Sequence, residues 1–197
     1  MFPRVGGARV DHKRASPGTY VIMSVTLVYE THAITVDNEA GVATGWLPGE
    51  LSAAGRRAAA ELGVRRRDVD VVYASDLRRA VETVEIAFGG GGTEVRLDRR
   101  LRECDYGAFN GRPVREVAAL RGGHVDVPWP GGQSYRQVVG ETAAFLEDVL
   151  AEWQGGRVLV VAHSANRWAL RNLIFGTPLE DLVDAPFVWQ PGWEYRI

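Results

Sequence analysis

Two short apolar runs dominate the pattern of this chain, and each stops on a histidine. Val25-Thr26-Leu27-Val28-Tyr29-Glu30-Thr31-His32-Ala33 is β-branched and flanked by polar positions. A run of that length predicts a strand buried on both faces of a parallel sheet rather than one stripe of a helix. Late in the chain Arg157-Val158-Leu159-Val160-Val161-Ala162 repeats the pattern and runs into His163. Open α/β sheets bind ligands outside the carboxyl ends of their strands, so the two runs would bring two imidazoles to one crevice.

The remaining pattern alternates between helical and strand periods. Ser52 reads as the N-cap of a helix that Gly63 ends. Residues 70–75 form the next strand, and 76–88 a helix with Leu77, Ala80, Val84 and Phe88 on one face. Gly89 to Gly92 follow that helix and precede a short strand over 94–97. A phosphate-cradling glycine motif runs from strand to helix instead, so these glycines read as a connector. An irregular segment over 101–111, a short helix over 114–120 and a Pro-Gly-rich loop over 121–132 come next. Ser134 caps a long amphipathic helix to Trp153. After the second histidine strand, a helix over 165–175 is closed by Gly176 and Pro178. Residues 187–197 predict an edge strand or hairpin, with Trp189, Trp193 and Tyr195 in the core. Residues 34–50 form a long polar loop of the kind that carries function.

Together these elements predict an α/β protein, a three-layer α/β/α arrangement around a mostly parallel, doubly wound sheet. One domain covers residues 23–197. Residues 1–22, rich in Gly, Pro, Arg and Ser, predict a disordered extension, and Met23 stands where the natural start is expected.

Composition narrows the function classes. A net charge of -2 argues against nucleic-acid and membrane-surface partners. The longest apolar runs are strand-length, short of a membrane span. Cys104 is the single cysteine, which leaves no internal disulfide or cysteine-based zinc site and points to the reducing cytoplasm. Its neighbour Glu103 invites a nucleophile reading, but a packed, inert thiol is the expectation.

Several blocks resemble the histidine phosphatase superfamily, whose fold is phosphoglycerate mutase-like. That family opens with a strand and Arg-His-Gly-Glu-Thr/Ser, with an Asn three residues further on. Here the frame reads Thr31-His32-Ala33-Ile34-Thr35, with Asn38 in register. Gly45-Trp46-Leu47-Pro48-Gly49-Glu50-Leu51-Ser52-Ala53-Ala54-Gly55 matches the family's Gly-Trp-x-Asp-x-Pro-Leu-Thr-x-x-Gly. Tyr73 to Thr83 resembles the block that carries the second phosphate-binding arginine, here Arg79. Leu101 to Gly107 resembles the block of the family's acid, here Glu103. Pro130-Gly131-Gly132-Gln133-Ser134 and Val160-Val161-Ala162-His163 match two later blocks, the latter holding the second histidine.

The resemblance implies a metal-independent phosphohydrolase without a cofactor, acting on a small phosphorylated metabolite. His32 would carry the phosphoryl group, Glu103 would act as acid and then base, and Arg79 and a protonated His163 would hold the oxygens. Asn38, Thr44 and Gly45 would bind phosphate or substrate. Thr31 and Ala33 depart from the family: Thr31 stands where the first phosphate-binding arginine belongs. Losing one partner of a charge-assisted pair costs about 2–5 kcal/mol, so a compensating arginine is expected. Arg167, near the amino end of the last helix, is the first candidate, with Arg102 and Arg78 behind it. The alternative is a catalytically weak relative that binds a phosphorylated or anionic ligand, inorganic phosphate included. A third arrangement uses His32 and Glu103 as an acid/base pair for other chemistry.

Overall fold

The computed structural model describes residues 24–186 and 188–197. The expected extension over 1–22 and the start at Met23 lie outside the described residues. In chain order the elements are β1 (Thr26–Thr31), α1 (Val36–Glu39), β2 (Val42–Ala43), α2 (Ala53–Arg65), β3 (Val71–Ala74), α3 (Arg78–Phe88) and β4 (Glu94–Leu97). Then come β5 (Arg112–Pro113), α4 (Val114–Leu120), α5 (Tyr135–Glu152), β6 (Arg157–Ala162), α6 (Ser164–Phe175), α7 (Leu179–Asp184) and β7 (Trp193–Arg196).

The main sheet has the order β4-β3-β6-β1-β7. All neighbours are parallel except β7, which runs antiparallel along the outer edge of β1. β1 and β6 lie side by side with Thr31 opposite Ala162, so His32 and His163 are the next residues along both strands. Side chains alternate across a sheet. Leu27, Tyr29, Val158, Val160 and Ala162 pack in one cluster with Phe145, Val149 and Leu170 of α5 and α6. Val28, Leu159 and Val161 pack in another with Leu62, Val84 and Phe88 of α2 and α3. These are the three layers that the alternating pattern predicted, and both histidines continue the row of the α2/α3 face.

The caps at Ser52 and Ser134 are present. Ser52 Oγ accepts from the Gly55 amide at 3.1 Å, and Ser134 shares a reciprocal box with Gln137 at 3.2 and 2.8 Å. Gly63 does not end α2, which runs to Arg65. A Cβ there would lie 2.1 Å from the Ala87 carbonyl oxygen, so this glycine lets α2 and α3 approach closely. Pro178 closes nothing by itself; it leads directly into α7, whose Leu179, Leu182 and Val183 are buried. The 34–50 segment is more than a loop: Thr35 and Asn38 cap α1 reciprocally, and β2 pairs with β5. Tyr195 is buried as expected, whereas Trp189 is 58% exposed and lines the crevice beside His32.

Candidate active site

His32 and His163 meet at the carboxyl edge of the sheet with ring centroids 5.0 Å apart and ring planes tilted by 52°. His32 Nδ1 lies 2.8 Å from the Ala33 carbonyl oxygen. A carbonyl only accepts, so Nδ1 carries the proton and Nε2 keeps its lone pair. Arg79, in the first turn of α3, donates from Nε to that Nε2 at 3.3 Å. Its Nη2 donates to the Gly45 carbonyl at 2.9 Å, which anchors the guanidinium in the wall. Gly45 can serve there because its φ is +55° and a Cβ would overlap Asn110 Oδ1, 1.8 Å away.

His163 is fully buried at the start of α6. Its amide donates to Asn166 Oδ1 at 3.2 Å, and the Tyr29 hydroxyl donates to its carbonyl. Neither ring nitrogen has a hydrogen-bond partner among the described residues. Burial and the adjacent Arg79 push the His32 pKa down to about 3. Burial, Arg79 and His32 hold His163 well below the ordinary histidine range. Both imidazoles are therefore held toward the neutral form; the expectation of a protonated His163 concerns the site with a phosphoryl group in it. A guanidinium already occupies the crevice, and a second cation is unfavourable until an anion arrives.

Glu103 is a buried carboxyl on the wall of this crevice. Its Oε1 accepts from the Cys104 and Ala165 amides at 2.8 and 3.3 Å. Burial nevertheless raises its pKa, outweighing both hydrogen bonds and the fields of Arg79 and Arg121. The Cys104 thiol beside it is buried, and desolvation pushes its pKa up, so it is not a thiolate.

Thr31, Asn38, Thr44 and Gly45 also line this crevice, whose volume is about 500 Å³. Asn38 Oδ1 is engaged by the Thr35 amide at 3.0 Å, and the Thr44 hydroxyl donates to Asp37 at 2.9 Å.

The arginines expected to replace the missing one lie elsewhere. Arg167 turns to Trp193, its guanidinium carbon 4.2 Å from the ring centroid, and is not on the crevice wall. Arg102 forms a two-pronged pair with Asp76 at 2.6 and 2.7 Å. Arg78 pairs with Glu50 at 2.9 Å on the surface. Besides Arg79, two arginines line the crevice: Arg65, which is tied to Glu30 at 3.1 Å, and Arg121, just past α4. Arg121 is the one with no carboxylate partner among the described residues. It belongs to none of the recognisable blocks, and a Pro-Gly-rich stretch gives no sign of where its first side chain points.

The profile of the histidine phosphatase superfamily (branch 1) matches residues 31–188, and the chain belongs to that superfamily. A probable phosphoglycerate mutase of Salmonella choleraesuis is 31% identical over 138 residues, 65% of this chain and 64% of that protein. The chain thus spans somewhat under two thirds of that relative. Among solved structures, YhfR of Bacillus stearothermophilus matches with a TM-score of 0.73 at 26% identity, covering 85% of this chain and 88% of that one. A mycobacterial glucosyl-3-phosphoglycerate phosphatase matches with a TM-score of 0.71 at 26% identity, covering 81% and 84%. The fold is phosphoglycerate mutase-like.

Proposed function

We propose that this protein is a phosphohydrolase acting on a small phosphorylated metabolite through a phosphohistidine at His32. The observation that carries the reading is the neutral His32 Nε2, its lone pair facing Arg79 at 3.3 Å with His163 alongside. An entering phosphoryl oxygen takes over the Arg79 N–H, which frees the lone pair where phosphorus arrives. Nε2 then bonds to phosphorus as the ester P–O bond breaks, and Glu103 gives its proton to the leaving oxygen. In the second half Glu103, now a carboxylate, takes a proton from water. The water oxygen bonds to phosphorus, the P–N bond breaks, and phosphate leaves. His163 donates from its ring N–H to a phosphoryl oxygen, where transition-state charge collects.

The test is incubation of wild type and His32→Ala with aryl, sugar and acyl phosphates. Turnover that vanishes with His32, and a base-stable phosphoryl adduct on His32 trapped by rapid quench, are expected. Turnover that survives the substitution would sink the reading. Thr31 favours one alternative, a weak relative that only binds anions. That alternative gains if vanadate raises the melting temperature while no substrate turns over.

A further inference from the structure

Thr31 leaves the proposed phosphoryl site short of one guanidinium, and Arg121 stands on the wall of the same crevice as His32, Arg79 and Glu103. Its Nε is buried without a hydrogen-bond partner, and no carboxylate among the described residues pairs with it. What holds it is an aromatic face: its guanidinium carbon lies 5.1 Å from the Trp168 ring centroid on α6. Trp168 is fixed in turn by the edge of Tyr135, with centroids 5.4 Å apart.

Stacking orients a guanidinium but leaves its N–H donors, which radiate in the ring plane, unsatisfied. A cation with a buried, unused donor, in a crevice built for anions, suits a bound oxyanion better than it suits packing alone. Glu103 lines the same crevice, and the field of Arg121 pulls its carboxyl back toward ionisation.

We propose that Arg121 is the second guanidinium of the phosphoryl clamp, replacing from the end of α4 the arginine that Thr31 lacks at the end of β1. The assignment rests on the phosphohydrolase reading for its role in turnover, but anion binding tests it separately. Arg79 then grips the phosphoryl group beside the nucleophile, while Arg121 holds oxygens on the side of Glu103. The clamp keeps its charge although its parts come from different stretches of chain.

The experiment uses Arg121→Met, which keeps an apolar stem on Trp168 and removes the donors. Vanadate affinity and kcat/KM for an aryl phosphate are both expected to fall by about thirty-fold or more. Added methylguanidinium should restore part of the loss in Arg121→Ala, and Thr31→Arg should restore part of it in the Arg121→Met background. Neither rescue is expected of a residue that only packs. If Arg121→Met does not fold, Arg121→Lys gives the reading, with about tenfold weaker vanadate binding at an unchanged ligand-free melting temperature. Vanadate affinity within threefold of wild type in the folded variant overturns the assignment. That result would leave the phosphohydrolase reading standing if turnover still depends on His32; turnover independent of His32 sinks that reading whatever Arg121 does.

Discussion

His32 Nε2 accepts a hydrogen bond from Arg79 Nε at 3.3 Å. The guanidinium thus does two things: it covers the lone pair and, adding to the larger effect of burial, it disfavours a proton on the imidazole.

Removing that charge gives the first prediction. In Arg79→Ala the pKa of His32 rises from about 3 toward the ordinary value, without reaching it, because burial remains. Histidine-selective NMR titration reads the shift directly. An unchanged titration would show that Arg79 has no hold on the nucleophile. The same variant loses anion affinity, with kcat/KM down by about thirty-fold to several thousand-fold.

In the proposed mechanism Glu103 is needed most where the leaving group is poor. Glu103→Gln should lower turnover of an alkyl phosphate by about 10²–10⁴-fold and that of a nitrophenyl phosphate far less, since the latter leaves without a proton. Equal losses on both would mean that Glu103 supports structure rather than proton transfer. In wild type the pKa of Glu103 lies above the usual carboxylate value. Activity on the alkyl ester therefore falls as pH rises through that raised pKa and the acid form disappears.

The two imidazoles also make the fold acid-sensitive. Both have folded pKa values below the value of about 6.5 for an unfolded chain. Above that value neither state binds the proton and nothing is lost. Below it the unfolded chain takes protons that the native site refuses, so stability drops as pH falls from about 6.5 toward about 3. The slope is about 1.4 kcal/mol per pH unit for each histidine. Urea unfolding at a series of pH values should show a shallower acid slope in His163→Gln than in wild type. An identical slope would contradict a neutral, buried His163.

Gly45→Ala should damage both stability and anion binding. The added carbon meets Asn110 at a φ of +55°, a strain of about 1–3 kcal/mol. It also displaces the carbonyl that anchors Arg79. A lower urea midpoint together with a raised KM is the expected pair of results. A raised KM at an unchanged midpoint would mean that the loop relaxes without strain.

Legibility in the sequence followed the range of the forces involved. β1 and β6 were readable because burial on both faces demands an unbroken β-branched run, and the caps at Ser52 and Ser134 because their hydrogen bonds span three residues. Gly63 was misread because a glycine that ends a helix and one that admits a neighbouring helix look alike until Ala87 is in place. α7 was missed because six residues after a proline carry too little periodicity to show. Within the site, the motif blocks pointed to His32, Arg79, Glu103 and His163, and the structure puts these four together. Arg121 was invisible because its place depends on a stack against Trp168, 47 positions further along the chain. The burial of His163 was not legible either, because desolvation is a property of the whole fold.

The pairing of Thr31 with Ala162 has a last implication. Because the imidazoles follow directly on two paired strands, the register holds their backbones side by side, and a one-residue slip would turn one ring to the far side of the sheet. Substitutions in the surrounding walls can change the groups that face the imidazoles, whereas separating the two backbones would break that register. Divergence among such proteins should accordingly accumulate in the walls of the crevice while its two posts stay fixed.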